Sequence, residues 1–311
     1  MLPVRPEIAS ADARLSDDAL AIIRFGVPRD TSSLPMRQLG PLPSIEVWRS
    51  PLPVTRWSAE GAAFASNGEV LFGSARVCGC EIESAAARVY ETLVTAARSS
   101  GHPHLLRAWN HVGSINACEE GWERYRRFSV GRHEALTRLG ITPQQFPAAS
   151  AVGTQGNELA VTLLTSRVPG VQVENPRQVP AYEYPAHYGP RSPSFARATV
   201  ARWDAAGMIF VAGTSSVVGH ASLHADDVEA QLEETLRNLE TIIDAAAARA
   251  GTSARLDGMT VARTYLRRAA DYAAVAARLQ SAMPRTQHLV LESDICRRDL
   301  LIEIEGVVPL I

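Results

Sequence analysis

Apolar positions fall along this chain in two similar series. The first opens on a nearly continuous run, Val70-Leu71-Phe72-Gly73-Ser74-Ala75-Arg76-Val77, which predicts a strand. Ala86, Val89, Tyr90, Leu93, Val94 and Ala97 follow at helical spacing and stop at Gly101. The second series opens on Met208-Ile209-Phe210-Val211-Ala212-Gly213-Thr214. It continues with Val228, Leu232, Leu236, Leu239, Ile242, Ile243 and Ala246, and stops at Gly251. Each series then predicts a strand (105–112; 259–266), a second helix (about 119–139; about 269–282) and two closing strands (149–153 with 159–164; 288–292 with 300–308).

A strand, helix, strand, helix and two strands make a sheet covered by helices on one face. The fold class is therefore α+β, with two such units packed together. Residues 1–175 are read as an N-terminal unit with an extension, and residues 176–311 as a C-terminal unit. Between the series, Pro169, Pro176, Pro180, Pro185, Pro190 and Pro193 alternate with Tyr182, Tyr184 and Tyr188. Proline at that density excludes continuous helix and predicts a semi-rigid connector. Residues 1 to about 60 carry weak periodicity and receive no assignment.

Composition narrows the partners. The 31 basic and 33 acidic residues leave a net charge of −2, without the basic footprint of a nucleic-acid binder. All 31 basic residues are arginine, so lysine chemistry of every kind is excluded. Guanidinium groups grip carboxylates in paired hydrogen bonds, which points to an anionic ligand. No apolar run reaches membrane-spanning length and no leader pattern precedes the first series, so a cytoplasmic location away from the membrane is expected. Cys78, Cys80, Cys118 and Cys296 form no Cys-x-x-Cys pair and are read as free thiols. The histidines form no ligand cluster. His220 and His224 are four apart but are read as a turn pair, so neither metal nor cofactor is expected.

Few positions can carry chemistry. In Leu300-Leu301-Ile302-Glu303-Ile304-Glu305-Gly306, alternation sets Glu303 and Glu305 on one strand face and Ile302 and Ile304 on the other. A buried carboxyl keeps its proton near neutrality and can act as a general acid; the plainer alternative is a solvated face, or pairing with Arg297 and Arg298. Arg132 follows a glycine, Arg191 lies in a proline-stiffened loop beside Tyr188, and Arg197 interrupts an apolar strand start. Each is either a ligand clamp or the partner of an internal carboxylate. Cys296 is flanked by arginines that would lower its pKa, against ordinary burial as a small apolar residue. Gly213-Thr214-Ser215-Ser216 is no nucleophile elbow, and no dinucleotide signature is present.

Taken in order, several stretches resemble the chorismatase family. They are Arg107-Ala108-Trp109-Asn110-His111-Val112, Tyr125-Arg126-x-Phe128-x-Val130-Gly131-Arg132, Tyr188-Gly189-Pro190-Arg191, Phe195-Ala196-Arg197-Ala198-Thr199, Val218-Gly219-His220, and the run from Asp294 to Gly306. The repeat also resembles two units of the RidA/YjgF fold on which that family is built. The resemblance implies cleavage of chorismate, with Glu303 protonating the enol ether. It further implies Arg132, Arg191, Arg197, Tyr125, Tyr188 and Gly213 as substrate-binding residues. Cysteine at 296 resembles the branch that makes 3-hydroxybenzoate and pyruvate; alanine there would suggest hydrolysis to a dihydroxycyclohexadiene acid. Serine in the Gly213–Ser216 turn, where alanine is expected, departs from that pattern. An imine hydrolase of the RidA kind would need an arginine where Ala149 and His288 stand, and a sensor without turnover is the non-enzymatic alternative. Two units in one chain suggest a monomer.

Overall fold

The computed structural model describes residues 1–14, 16–26, 33–40, 43–79 and 81–310; Cys80 lies outside them. Its N-terminal part, which the periodicity left unassigned, forms β1 (Arg5–Ser10), β2 (Ala19–Phe25), β3 (Ser33–Leu34), β4 (Arg37–Leu39) and β5 (Ser44–Arg49). The first unit follows as β6 (Thr55–Ala59), β7 (Ala62–Ser66), β8 (Val70–Val77), α1 (Ile82–Ser99), β9 (His104–Gly113), a small hairpin of β10 (Cys118–Glu119) and β11 (Trp122–Glu123), α2 (Arg124–Arg138), β12 (Ala148–Thr154) and β13 (Leu159–Ser166). The second comprises β14 (Val171–Val173), β15 (Ala198–Trp203), β16 (Ala206–Thr214), a ribbon of β17 (Val217–Val218) and β18 (Ala221–Ser222), α3 (Val228–Arg249), β19 (Val261–Leu266), α4 (Tyr272–Ala282), β20 (Gln287–Glu292) and β21 (Ile302–Leu310).

The duplication is explicit in the sheets. One runs β12-β9-β13-β8-β7-β6 and the other β14-β15-β16-β21-β19-β20-β4, so the shared strands occur in equivalent order. In each, only the β9/β12 or β19/β20 pair is parallel. The glycine stops act as the sequence suggests: Gly101 and Gly251 take positive φ, and His102 N and Thr252 N reach back to Ala97 O and Ala247 O. Those are the helix-closing bonds of a left-handed C-terminal residue. The helix expected from about 119 begins later, because Glu120 and Gly121 both have positive φ and turn the chain into the β10/β11 hairpin first.

Three apolar layers result. α1 and α2 pack on one face of the first sheet through Tyr90, Leu93 and Phe128. α3 covers the second sheet through Leu236, Leu239 and Ile243, where Ile302 and Ile304 also point. Between the two sheets, Trp48, Phe72, Trp109 and Phe210 form a common core.

That middle layer also holds charge. Arg263 donates to both oxygens of Glu46, at 2.5 and 2.7 Å, and lies 3.2 Å from Glu305 Oε1. Arg107 and the Ser150 hydroxyl donate to Glu305 Oε2, and Tyr265 OH donates to Oε1 at 2.9 Å. Trp48 Nε1 closes the network on Glu46 at 2.6 Å. Two carboxylates and two guanidinium groups balance inside the core, each satisfied by several bonds. Deleting one charge leaves its partner buried and unpaired. Glu46→Gln is expected to cost about 3–5 kcal/mol, read from the denaturant midpoint; a loss below about 1 kcal/mol would mean that the network does not hold the layers together.

Candidate active site

A cavity of about 360 Å³ opens where the first unit's α2 and β12 meet the connector and the second sheet. That volume suits a small organic ligand. Tyr125, Ser129 and Arg132, spaced four and three apart, present one face of α2 to it. Gly131 lets α2 approach α1 closely, since a Cβ there would collide with the backbone of Glu83. The connector supplies Tyr184, Tyr188, Arg191, Phe195 and Arg197, and the loop before β21 supplies Cys296 and Arg297. Glu303 forms the floor.

All eight residues singled out from the sequence, Glu303, Cys296, Arg132, Arg191, Arg197, Tyr125, Tyr188 and Gly213, line this one cavity. Their environments differ. Glu303 is 4% exposed, and its Oε1 has no hydrogen-bond partner among the described residues. Burial and the charge of Glu305 push its pKa up to about 8, against the pull of Arg107 and Arg197. Two residues along the same strand face, Glu305 already holds the Arg107, Arg263, Tyr265 and Ser150 bonds. One glutamate therefore keeps its proton near neutrality while its neighbour is saturated with donors.

Space for Glu303 comes from a β-bulge. Val211 pairs with Gly306 but Thr214 pairs with Ile304, so β16 carries one extra residue at Ala212-Gly213. A Cβ on Gly213 would strike Glu303 Oε1. Gly213 thus acts by allowing the acid to sit under the bulge.

The arginines sort by partner. Arg132 and Arg197 are buried, yet neither makes an ion pair with a carboxylate among the described residues. Arg132 stacks over Phe128 at 5.2 Å, and its Nε has no partner. Arg197 donates to Tyr184 OH at 2.6 Å and lies over Phe195 at 5.0 Å. Arg191 is exposed at the mouth. Arg297, not singled out from the sequence as a clamp, is more enclosed than Arg191: its guanidinium lies 4.3 Å from the Tyr188 ring centre and 5.1 Å from that of Tyr184. Its Nη1 donates to His220 O at 2.8 Å, and Tyr188 OH donates to the same carbonyl at 2.7 Å. The stacked aromatic rings and shared anchor were invisible in the sequence, where Arg297 reads as a partner for the strand glutamates.

Cys296 settles between its two readings. Burial and the charge of Glu303 push its thiol up to about 12, outweighing Arg297, Arg197 and Arg267. It is a neutral thiol, and arginine activation is overturned by desolvation. Burial likewise keeps Tyr125 a neutral phenol, with its pKa raised. The loop bearing Cys296 is fixed by Arg267, which donates to Leu300 O at 2.8 Å, Ile295 O at 3.1 Å and Arg297 O at 2.8 Å. From α3, Gln231 holds Asp299 O and Leu301 N, both at 2.8 Å. Neither residue stands out in the sequence, because such roles follow from loop carbonyls.

No group of three or more metal-ligating side chains occurs among the described residues, and no helix among them is long and apolar enough to cross a membrane.

A duplicated α+β fold whose cavity sets a buried carboxyl of raised pKa among arginines without carboxylate ion pairs has the character of an enzyme acting on an anion. The comparisons agree with that class. Residues 46–165 match the family model "Chorismatase FkbO/Hyg5-like, N-terminal". The chain is 39% identical over 277 residues to a 3-hydroxybenzoate synthase of Streptomyces hygroscopicus, covering 86% of this chain and 82% of that one. It is 38% identical to a chorismatase of the same species, covering 85% and 78%. A crystal structure of a chorismatase superposes with a TM-score of 0.91 at 30% identity, covering 98% of both chains. The chain belongs to the chorismatase family.

The raised pKa of Glu303 has a thermodynamic signature. Its folded pKa lies above the ordinary value of 4.5, so the unfolded chain releases this proton first and stability falls as pH rises between the two. Glu303→Gln removes that penalty. The variant should be more stable than the parent by roughly 3–5 kcal/mol at pH 8 and equal to it near pH 4, measured as unfolding midpoints across pH. Equal stability at both pH values would place the raised pKa elsewhere.

Proposed function

We propose that this chain cleaves chorismate to 3-hydroxybenzoate and pyruvate, with Glu303 as the acid. The observation that carries the reading is the buried carboxyl of Glu303, its pKa raised and its Oε1 without a partner, beside guanidinium groups that form no ion pair among the described residues. Chorismate brings two carboxylates to such a site, and Arg132, Arg197 and Arg297 are assigned to them, with Arg191 at the mouth. Tyr125 and Tyr188 form hydrogen-bonding walls.

Glu303 gives its proton to the methylene carbon of the enolpyruvyl group. A C–H bond forms, the carboxyl O–H breaks, and the adjacent carbon becomes an oxocarbenium ion. The carboxylate left behind stabilises that cation in a site of low dielectric. The neighbouring ring hydroxyl then attacks the ring carbon that bears the ether, whose C–O bond breaks so that the oxocarbenium leaves as the ketone of pyruvate, and the hydroxyl proton returns to the Glu303 carboxylate. Opening of the resulting epoxide, with a ring proton lost and a proton gained by the oxygen, gives the aromatic phenol. The atoms of 3-hydroxybenzoate and pyruvate together equal those of chorismate, so no net water is consumed. Cys296, a neutral thiol lining the same cavity as Glu303, offers its one S–H to the substrate and fills space that a water would take. The similarity to a relative named 3-hydroxybenzoate synthase supports this branch. Two units of the fold within one chain support a monomer.

Purified protein incubated with chorismate should release pyruvate and 3-hydroxybenzoate in equal amounts. Absence of pyruvate would sink the proposal. Glu303→Gln should lower kcat by about two to four orders of magnitude, and kcat/KM of the parent should fall above pH of about 8 as the free enzyme loses this proton. Near-normal turnover in the variant would reassign the acid. Cys296→Ala should keep pyruvate release while shifting product towards the dihydroxycyclohexadiene acid, resolved by chromatography; unchanged 3-hydroxybenzoate would remove Cys296 from the product-determining step.

A further inference from the structure

Arg197 enters the pocket from the residue before β15, and strand register sets one carboxyl across from it. Val173 pairs with Ala198, and both side chains enter the core under α3. The next pair outward, Glu174 and Arg197, therefore belongs to the opposite face, the one that looks towards the cavity. Glu174 is not among the residues that line the cavity. Both of its carboxyl oxygens are buried without a side-chain hydrogen bond among the described residues, the backbone N–H of Arg197 alone drawing on the carboxyl, and Arg197 Nε has no partner. Arg197 instead spends Nη2 on Tyr184 OH, with Val179 O at 3.4 Å. A carboxyl and a guanidinium at neighbouring strand positions thus form no ion pair among the described residues, and burying both without one costs stability.

We propose that Glu174 is the proton-carrying counterpart of Arg197, balancing its charge while the pocket is empty and taking up a proton when a substrate carboxylate replaces it. This rests on the chorismate reading above, and it makes Glu174 a positioning residue. The other groups facing it are Glu183 and Tyr182 of the connector turn. Burial raises the Glu174 pKa to about 7, Arg197 opposes the rise, and Glu183 adds to it. An anion on Arg197 cancels the opposing charge, so the pKa rises further and binding near neutrality draws in a proton. Affinity must then weaken as pH climbs through the free-state value.

The test uses chorismate and the full-length Glu303→Gln protein, which holds substrate without rapid turnover and removes the other titrating carboxyl. Calorimetry at pH 7 in two buffers of different ionisation enthalpy should report uptake of about half a proton per chorismate bound, and Kd should rise about tenfold from pH 6 to pH 8. Adding Glu174→Gln should abolish both effects. Glu174→Met, similar in length, serves as a second uncharged variant should the amide fail to fold. Equal proton uptake and equal pH slopes with and without Glu174 would overturn this inference while leaving the chorismate reading intact. Failure of chorismate to bind any of these proteins would overturn both.

Discussion

The arrangement depends on how positive charge is divided between two glutamates on one strand face. Glu305 collects Arg107, Arg263, Tyr265 and Ser150 in the layer between the sheets. Glu303, two residues earlier and nearer the cavity, is left beside the Gly213 bulge with an oxygen that nothing satisfies. Each environment requires the other. Without the saturated partner, Arg107 would be free to ionise Glu303; without the bulge, the carboxyl would have no room. The site is thus built at a cost to folding that the balanced network of Glu46, Arg263, Glu305 and Arg107 offsets nearby, as strained or desolvated groups at functional sites require.

The fold was legible where one period dominated. Helix-spaced runs ending at Gly101 and Gly251 gave α1 and α3 because a glycine with positive φ closes each, and the two series gave equivalent strand orders. Legibility failed where elements are short or depend on distant partners. β1 and β2 each pair with β5 rather than with their neighbour in sequence, and their periodicity is broken by prolines and by charges such as Glu46 that point inward. The start of α2 was misplaced because Glu120-Gly121 makes a turn that apolar spacing does not register.

The site was legible through residue type rather than pattern. Arg132 and Arg197 form no ion pair among the described residues, although Glu134 follows Arg132 by two positions, whereas Arg127 on the same helix as Arg132 is taken up by Glu81, Glu83 and Glu120. Sequence spacing could not separate those cases, because the acidic partners of Arg127 come from another helix and a hairpin. Arg297 was hidden for the converse reason. Adjacent acids made it look paired, while the ring faces of Tyr184 and Tyr188 in fact receive it.

Duplication explains why there is one acid rather than two. Leu164 pairs with Phe72 as Val307 pairs with Phe210, so Ala160 and Thr162 occupy on β13 the places of Glu303 and Glu305 on β21. The first unit has neither carboxylate. It contributes the helix carrying Tyr125 and Arg132, and the edge strand β12, while the second contributes the acid and the Cys296 loop. Two copies of one scaffold have diverged, the first lending Tyr125 and Arg132 to the cavity wall and the second Arg197, Arg297, Cys296 and Glu303. A cavity at the seam between them draws on both, and substitutions on either side should be coupled through the ligand.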